Sequence, residues 1–375
     1  MLYDKTDKYS IEKYAQKLVG KTFNDICKED LNDTIVIESE NTYVLAHGDK
    51  KRKGGLGELV EERFFHYKAN SDSSPDFKEA GVELKVTPYK INKNKSISAK
   101  ERLVLTMIDY NSVIDEKEFD SSHFWYKSQW LLLVYYLWEK EIKDRLDYRI
   151  DYARLFTPSE EDLEVIRNDY FKIIEKIEAG YAHELSESDT MYLSACTKSS
   201  DSSVVRAQPN SDIPAKPRAF AYKSSYMTYV LNHYIHGAKP KYESIIKNDN
   251  IKDIEAYITD KINKHKGKSV TELCADYDIE FDKIPKNLYA MLAYRMLGIT
   301  SNNAEEFVKA NIKVKTIRID KNNTIKENMS FPTFDFISIT KQDWEESEFY
   351  ELLSSTKFLF IVYHEQEDGL YNFDH

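Results

Sequence analysis

Residues 71–90 read SDSSPDFKEAGVELKVTPYK, a turn-rich segment running into a strand. Asp76 is followed after six residues by Glu83 and, two positions on, by Lys85. Residues two apart in a strand project from the same face, so Glu83 and Lys85 share one side of it. Gly81 and the turn residues before it let Asp76 approach that side from outside the strand. Two carboxylates a few ångström apart repel each other unless a cation neutralises them. Oxygen ligands with no His or Cys nearby suit Mg2+, which keeps several waters and takes few carboxylates. A metal held by Asp76 and Glu83 would polarise a phosphate and lower the pKa of a bound water. Lys85 would orient or deprotonate that water and stabilise the developing negative charge. Glu61, on a helix predicted over 57–65, adds a ligand or supports a second metal. Glu62 is the alternative, because the helix phase is open.

Outward from this segment the pattern mixes helices and strands. Helices are predicted over 10–18, stopped by Gly20, over 57–65 and over 163–177. Strands are predicted over 83–88, 103–108 and 131–136, and the Ser-rich stretches 184–190 and 198–203 read as loops. The fold class expected is α/β, a mixed sheet with flanking helices. His183, beside Glu184, reads as a hydrogen-bonded structural residue. The aromatics Phe124, Trp125, Tyr126 and the 130–136 run read as core rather than as a base-stacking platform.

With 375 residues the chain exceeds what one core usually fills, so two domains are expected. Hydrophobic residues at 41% and charged residues at 31% place it among globular proteins. The longest apolar run, Trp130 to Trp138, is far short of the ~20 residues that span a bilayer, so no membrane partner is expected. The N-terminus lacks a signal-peptide core, and Cys27, Cys196 and Cys274 have neither metal-ligand nor disulfide spacing. A cytoplasmic protein with reduced thiols is the expectation. The net charge of −11 argues against a nucleic-acid binder, because phosphate contacts need positive surface, but net charge is an average. Between Cys196 and Asp249, however, eight Lys and Arg stand against four acids, about +4 locally.

The chain also resembles itself. GKTFNDIC (20–27) recurs as GKSVTELC (267–274), and LGELVEERFF (56–65) is echoed by LYAMLAYRML (288–297). VELKVT (82–87) resembles IKVKTI (312–317), KERLVLTMIDY (100–110) resembles KENMSFPTFDF (326–336), and WLLLVYY (130–136) resembles FLFIVYH (358–364). Five matches in one order imply an ancestral duplication. The organisation expected is a catalytic domain at 1–235, a linker at 236–250 and a degenerate, non-catalytic copy at 251–375. Glu61 aligns with Ala293 and Glu83 with Lys313, so the copy lacks the paired acids and suits a binding or regulatory role.

KGGLGELVE (53–61), DFKEAGVELKVTP (76–88) and KERLVL (100–105) together resemble the PD-(D/E)xK nuclease superfamily, and within it the MutH family. The segment GYAHELSES…YLSACTKSS…RAFAYKSSYMT (180–228) resembles that family's DNA-recognition half. The resemblance is greatest to the GATC-cutting restriction endonucleases of the Sau-three-A type, which carry a second, silent MutH-like domain. It implies a restriction-endonuclease-like fold and a prokaryotic type II restriction endonuclease that cuts double-stranded DNA at GATC with Mg2+, leaving 5′-phosphates. A cognate DNA methyltransferase is implied as a genetic partner only.

The family's catalytic roles carry over to Asp76, Glu83 and Lys85, with Glu61 and Lys100 in support. Lys198 of CTKSS matches the family's base-reading lysine, the donor expected on guanine O6 and N7. Arg206, Arg218 and Lys223 are candidate phosphate or base contacts. The family's adenine-reading tyrosine is replaced by Ala221 after Arg218-Ala219-Phe220, which leaves Tyr222 or Tyr226 to substitute. The second copy has nothing matching 180–228, which reads as a shortened relative or a truncated chain. One active site per chain and a palindromic target imply dimerisation on DNA or two successive cuts. The rival readings are a MutH-like nickase at hemimethylated GATC and a DNA-binding protein that keeps the nuclease fold without cutting.

Overall fold

The computed structural model describes residues 2–30, 55–68, 73–199, 201, 203–238, 241–247, 251, 253–280, 285–325, 327–341, 344 and 347–375. Lys53, Gly54, Ser71, Asp72, Ser200, Ser202, Lys239, Lys326 and part of the expected 236–250 linker lie outside the described residues. The chain divides into two compact units. The first comprises Met1–Leu163, Tyr170–Leu185 and Leu193–Pro240; the second comprises Glu164–Asp169, Ser186–Tyr192 and Lys241–His375. No helix of the described residues is long and apolar enough to cross a membrane.

In the first unit the segment read above becomes β1 (Val82–Ile91), followed by β2 (Ile97–Ala99), β3 (Leu103–Met107), β4 (Trp130–Leu137) and β5 (Ile150–Phe156). One sheet has the order β2-β1-β4-β5. β1 and β4 run parallel, with Glu83 opposite Leu131 and Lys85 opposite Leu133. β2 and β5 pair antiparallel at the two edges. A strand covered on both faces has no reason to alternate, which explains the unbroken apolar run of β4. Leu131 through Tyr135 are all fully buried.

The two faces of β1 serve different purposes. Val82, Leu84 and Val86 pack with Leu132 and Val134 against α1 (Lys8–Ala15), α2 (Phe23–Asp30) and α3 (Gly55–Leu59). Asp7 caps α1, accepting from the Tyr9 and Ser10 N–H groups, so this helix begins two residues earlier than its apolar pattern suggests. Glu83 and Lys85 point the other way. On that side lie α4 (His123–Ser128), α5 (Glu160–Glu178) and a sheet of β3, β6 (Leu193–Thr197) and β9 (Arg218–Tyr222), in the order β3-β9-β6. Phe124, Tyr170 and Phe220 form an aromatic core there, with ring centroids 5.0 to 5.6 Å apart. The β7 (Arg206–Gln208) and β8 (Ser211–Ala215) hairpin precedes β9, and α6 (Ser224–Val230) follows it. Phe124, Trp125 and β4 are core as expected, whereas Tyr126 is half-exposed. His183 is hydrogen-bonded through Nδ1 to Gln208 Nε2 at 2.9 Å.

The second unit holds α7 (Ile254–Asn263), α8 (Val270–Asp276), α9 (Leu288–Leu297), α10 (Glu305–Ala310) and a sheet β10 (Ile312–Ile319), β11 (Lys357–Glu365), β12 (Tyr371–Phe373). β10 and β11 are parallel and β12 is antiparallel to β11. Several hydrogen bonds of the first unit recur. Gly20 N donates to Ile150 O and Ile150 N to Lys21 O; Gly267 N donates to Phe373 O and Phe373 N to Lys268 O, all at 2.8 to 2.9 Å. Thr22 with Asp25 and Ser269 with Glu272 close the same side-chain caps on the helices that follow. After β1, Asn92 N donates to Ser96 O with Lys95 at φ 66°; after β10, Asp320 N donates to Thr324 O with Asn323 at φ 60°.

Two sequence matches shift. The ladders place Trp130 opposite Val82 and Lys357 opposite Ile312, so the strand match at 130–136 falls on 357–363, one residue earlier than the alignment by identity. The match of 100–110 to 326–336 is structural only at its end, where Asp109 and Asp335 each cap a short helix. β3 is a strand because β9 hydrogen-bonds to it. Among the described residues no strand pairs with 327–335, and Phe334, Phe336 and Ile337 are exposed there.

Candidate active site

The loop before β1 folds back on the strand it feeds. Phe77 N donates to Val82 O and Val82 N to Phe77 O, closing a tight turn that Gly81 completes at φ 65°. Glycine adopts that backbone without strain, and since a Cβ there would meet nothing within 4 Å, it is the φ and not the space that favours it. Phe77 is buried edge-on against Phe65 and Tyr67, which anchors the turn. Asp76 is thereby delivered to the strand, where its Oδ2 accepts the Leu84 N–H at 2.8 Å. Glu61 arrives from the other direction. α3 continues into a wider π turn over Val60–Phe64, with Phe65 N donating to Val60 O, five residues back. Such bulges re-aim a helix side chain and frequently sit at functional sites.

Burial, then the charges of Asp76 and Glu83, push the Glu61 carboxyl up to about 7. Burial, then the charge of Glu83, push Asp76 up to about 6, against the Leu84 N–H and the lysines 85 and 127. Glu83 is 4% exposed. Its Oε1 receives the Lys85 ammonium at 2.8 Å and the Lys127 ammonium at 3.5 Å. Its Oε2 is buried with no hydrogen-bond partner. Lys85 also reaches the Leu105 carbonyl at 3.5 Å, which ties it to β3.

A divalent cation fits this donor set. An orphaned buried carboxylate oxygen, and two carboxyls raised by burial and by neighbouring carboxylates, both call for positive charge. Among the described residues no three acids, histidines or cysteines form a closed metal shell. The charges of Asp76 and Glu83 act on Glu61, and the three do not form such a cluster.

Two residues escaped the sequence reading. Lys127 lies near the end of α4, just before β4, and the parallel pairing of β4 with β1 brings it to Glu83. Tyr67 buries a hydroxyl without a partner, and burial with the charges of Asp76, Glu61 and Glu83 pushes its pKa up. Lys100, by contrast, is not brought to the acids. Its N–H donates to Pro88 O, and its ammonium stacks over Trp138 at 4.7 Å, at the opposite end of β1. Five residues of strand separate Pro88 from Glu83, about 16 Å.

The expected DNA contacts divide. Lys198 and Arg206 are exposed. Lys198 follows β6 and donates its N–H to Pro217 O, which sets it beside Arg218 at the open end of the β6–β9 pair. Arg218 keeps one guanidinium nitrogen on the Ala195 carbonyl at 2.7 Å. Lys223 and Tyr226 differ from the expectation of surface contacts: they are 1% and 0% exposed and present no surface to a phosphate or a base in this structure. Tyr226 faces inward from α6 and donates to the buried Asp162 carboxylate at 3.1 Å. Tyr222, the other candidate for reading adenine, is also fully buried.

The raised carboxyls give a stability prediction with a definite sign. Between the ordinary carboxylate range and about 7, native Glu61 binds more proton than unfolded Glu61, so its contribution to stability falls as pH rises through that window. In EDTA, Glu61→Gln should therefore gain melting temperature over the parent on going from about pH 5 to pH 7.5. A difference that stays constant across this range contradicts the assignment.

The family model of the DNA mismatch repair enzyme MutH matches residues 65–169 and 297–372. The type II restriction enzyme Sau3AI of Staphylococcus aureus is 39% identical over 345 residues, spanning 86% of this chain and 68% of that enzyme. The DNA mismatch repair protein MutH of Shewanella woodyi is 27% identical over 187 residues, spanning 49% of this chain and 78% of that protein.

Proposed function

This chain belongs to the family of the type II restriction enzyme Sau3AI and the mismatch repair enzyme MutH, and from that premise we propose that it hydrolyses double-stranded DNA at GATC as a site-specific deoxyribonuclease. The observation that carries the chemistry is Glu83, buried, with two lysines on one oxygen and no partner on the other. Restriction endonucleases generally depend on a divalent metal, and the oxygen-only donors favour Mg2+. Asp76 and Glu83 would hold the ion, with Glu61 adding negative charge behind them. Bound there, the ion supplies Lewis acidity to the scissile phosphate and a water of lowered pKa.

The chain's own residues do the rest. Lys85, fixed between Glu83 and the Leu105 carbonyl, places a donor where negative charge grows on the phosphate. Lys127 adds a second cation on the same carboxylate. Lys198, Arg206 and Arg218 form the base- and phosphate-contacting group of the first unit. The second unit is a degenerate, non-catalytic copy of the first that binds DNA; the recurring turns and caps support this reading. One site per chain cuts one strand, so a double-strand break uses two chains meeting on the palindrome or two successive cuts.

Digesting a plasmid in Mg2+ and sequencing the ends tests the proposal. Linear product with ends confined to GATC and carrying 5′-phosphates is expected. Nicked circles alone would place the chain with the repair nickases, and binding without any cut would make it a binding protein.

A further inference from the structure

In the second unit the helix α10 stands where the first has the turn before β1, and the strand that follows carries the opposite charge. β10 and β11 put Lys313 at the position of Glu83 and Lys315 at that of Lys85. Before the strand, Asn311 at φ 54° holds the left-handed place of Gly81, and Glu306 that of Asp76. Ala293 on α9 stands where Glu61 does. The one remaining acid is committed elsewhere. Glu306 is 6% exposed and accepts from Ile245 N, Ile246 N and Ser244 Oγ, at 2.9 to 3.1 Å for Oε1.

Two ammonium groups are left on one face of β10. Lys315 donates to the Ser330 carbonyl at 2.9 Å, much as Lys85 reaches Leu105, but the carboxylate that pairs Lys85 has become Lys313. Lys313 is exposed, and no carboxylate of the described residues lies in ion-pair distance of it. The neighbouring cations Arg318 and Lys357 are taken by Glu327 and Glu255. Like charges two residues apart repel and are relieved by a shared anion.

We propose that Lys313 and Lys315 form a metal-independent seat for a backbone phosphate of duplex DNA, a duplex that this unit holds and does not cut. The proposal rests on the nuclease reading and on the second unit being a degenerate copy. Lys313 is exposed and Lys315 part-buried beside Ser330 and Phe331, and among the described residues no buried donors close around a small ion there, which favours a polyanion that gains from counterion release. Without the paired acids there is nothing to gather a metal, so the bound phosphodiester stays intact.

The test uses the full chain in EDTA with a labelled GATC duplex, its anisotropy followed at graded KCl. The parent is compared with the double variants K313Q/K315Q and K313R/K315R. The Gln variant should lose about one unit from the slope of log affinity against log salt, as expected for one phosphate, while the Arg variant keeps the parent slope. Equal slopes for parent and Gln variant at equal melting temperature overturn the proposal. So does an Arg variant that loses slope as the Gln variant does. Inorganic phosphate that stabilises the parent at millimolar level, with duplex slopes unchanged by Gln, assigns the seat to free phosphate and overturns it as well. Plasmid cleavage in Mg2+ reads the nuclease site separately, so the two readings fail independently.

Discussion

Glu83→Ala should lower cleavage by at least ~10³-fold at saturating Mg2+, because it removes a metal ligand and the counter-charge of two lysines together. Lys85 and Lys127 both lie on Glu83 Oε1, so truncation leaves two ammonium groups facing each other over a cavity. A fall in activity alone would not separate lost chemistry from a disturbed site. Asp76→Asn makes that separation. Asparagine can still accept the Leu84 N–H, so the turn closed by Gly81 is kept while the charge is lost. The Asp76 carboxyl is pushed up to about 6, so ionising it costs the native state. Asp76→Asn should therefore melt no lower than the parent above about pH 6, yet lose Mg2+ binding by calorimetry and cut ~10³-fold more slowly. Either variant cutting within about tenfold of the parent would remove Asp76 and Glu83 from the mechanism.

What the sequence disclosed about this site followed from short-range geometry. The period of two in β1 put Glu83 and Lys85 on one face, and Gly81 marked the turn that returns Asp76 to the strand. What it hid depended on pairing between distant segments. Lys100 was the expected second lysine because KERLVL (100–105) resembles the family's motif. The β1–β2 hairpin carries Lys100 toward Trp138, while the parallel β1–β4 ladder brings Lys127 onto Glu83. The phase of Glu61 was open for a related reason. A π turn shifts every side chain after Val60, and no regular helical period contains it. The likeness between the two parts of the chain was legible as an order of matching segments, and the strand ladders give those segments a register. The turns at 91–97 (INKNKSI) and 319–325 (IDKNNTI) are alike in sequence as well as in backbone, a likeness that the five matched segments did not include.

Burial was the least legible quantity, and it changes what one residue is for. Lys223 sits in a basic, Ser-rich stretch that reads as a DNA-contacting surface, yet it is 1% exposed at the start of α6. A fully buried ammonium is tolerated only where the surrounding polar groups compensate its lost hydration. Tyr226 and the buried Asp162 lie in the same interior, with the tyrosine hydroxyl on the carboxylate. Lys223→Ala should therefore destabilise the protein by roughly 1–3 kcal/mol, because it removes one of the largest fully buried side chains. The natural control is Lys198→Ala, an exposed residue, which should change stability by no more than ~0.5 kcal/mol. Their effects on DNA should be reversed. Lys198→Ala should weaken DNA binding, and folded Lys223→Ala should keep the parent's salt dependence. Thermal melts and salt titrations on the two variants separate the roles. A Lys223→Ala protein that melts like the parent and loses about one unit of salt slope would mean that this lysine reaches a phosphate after all.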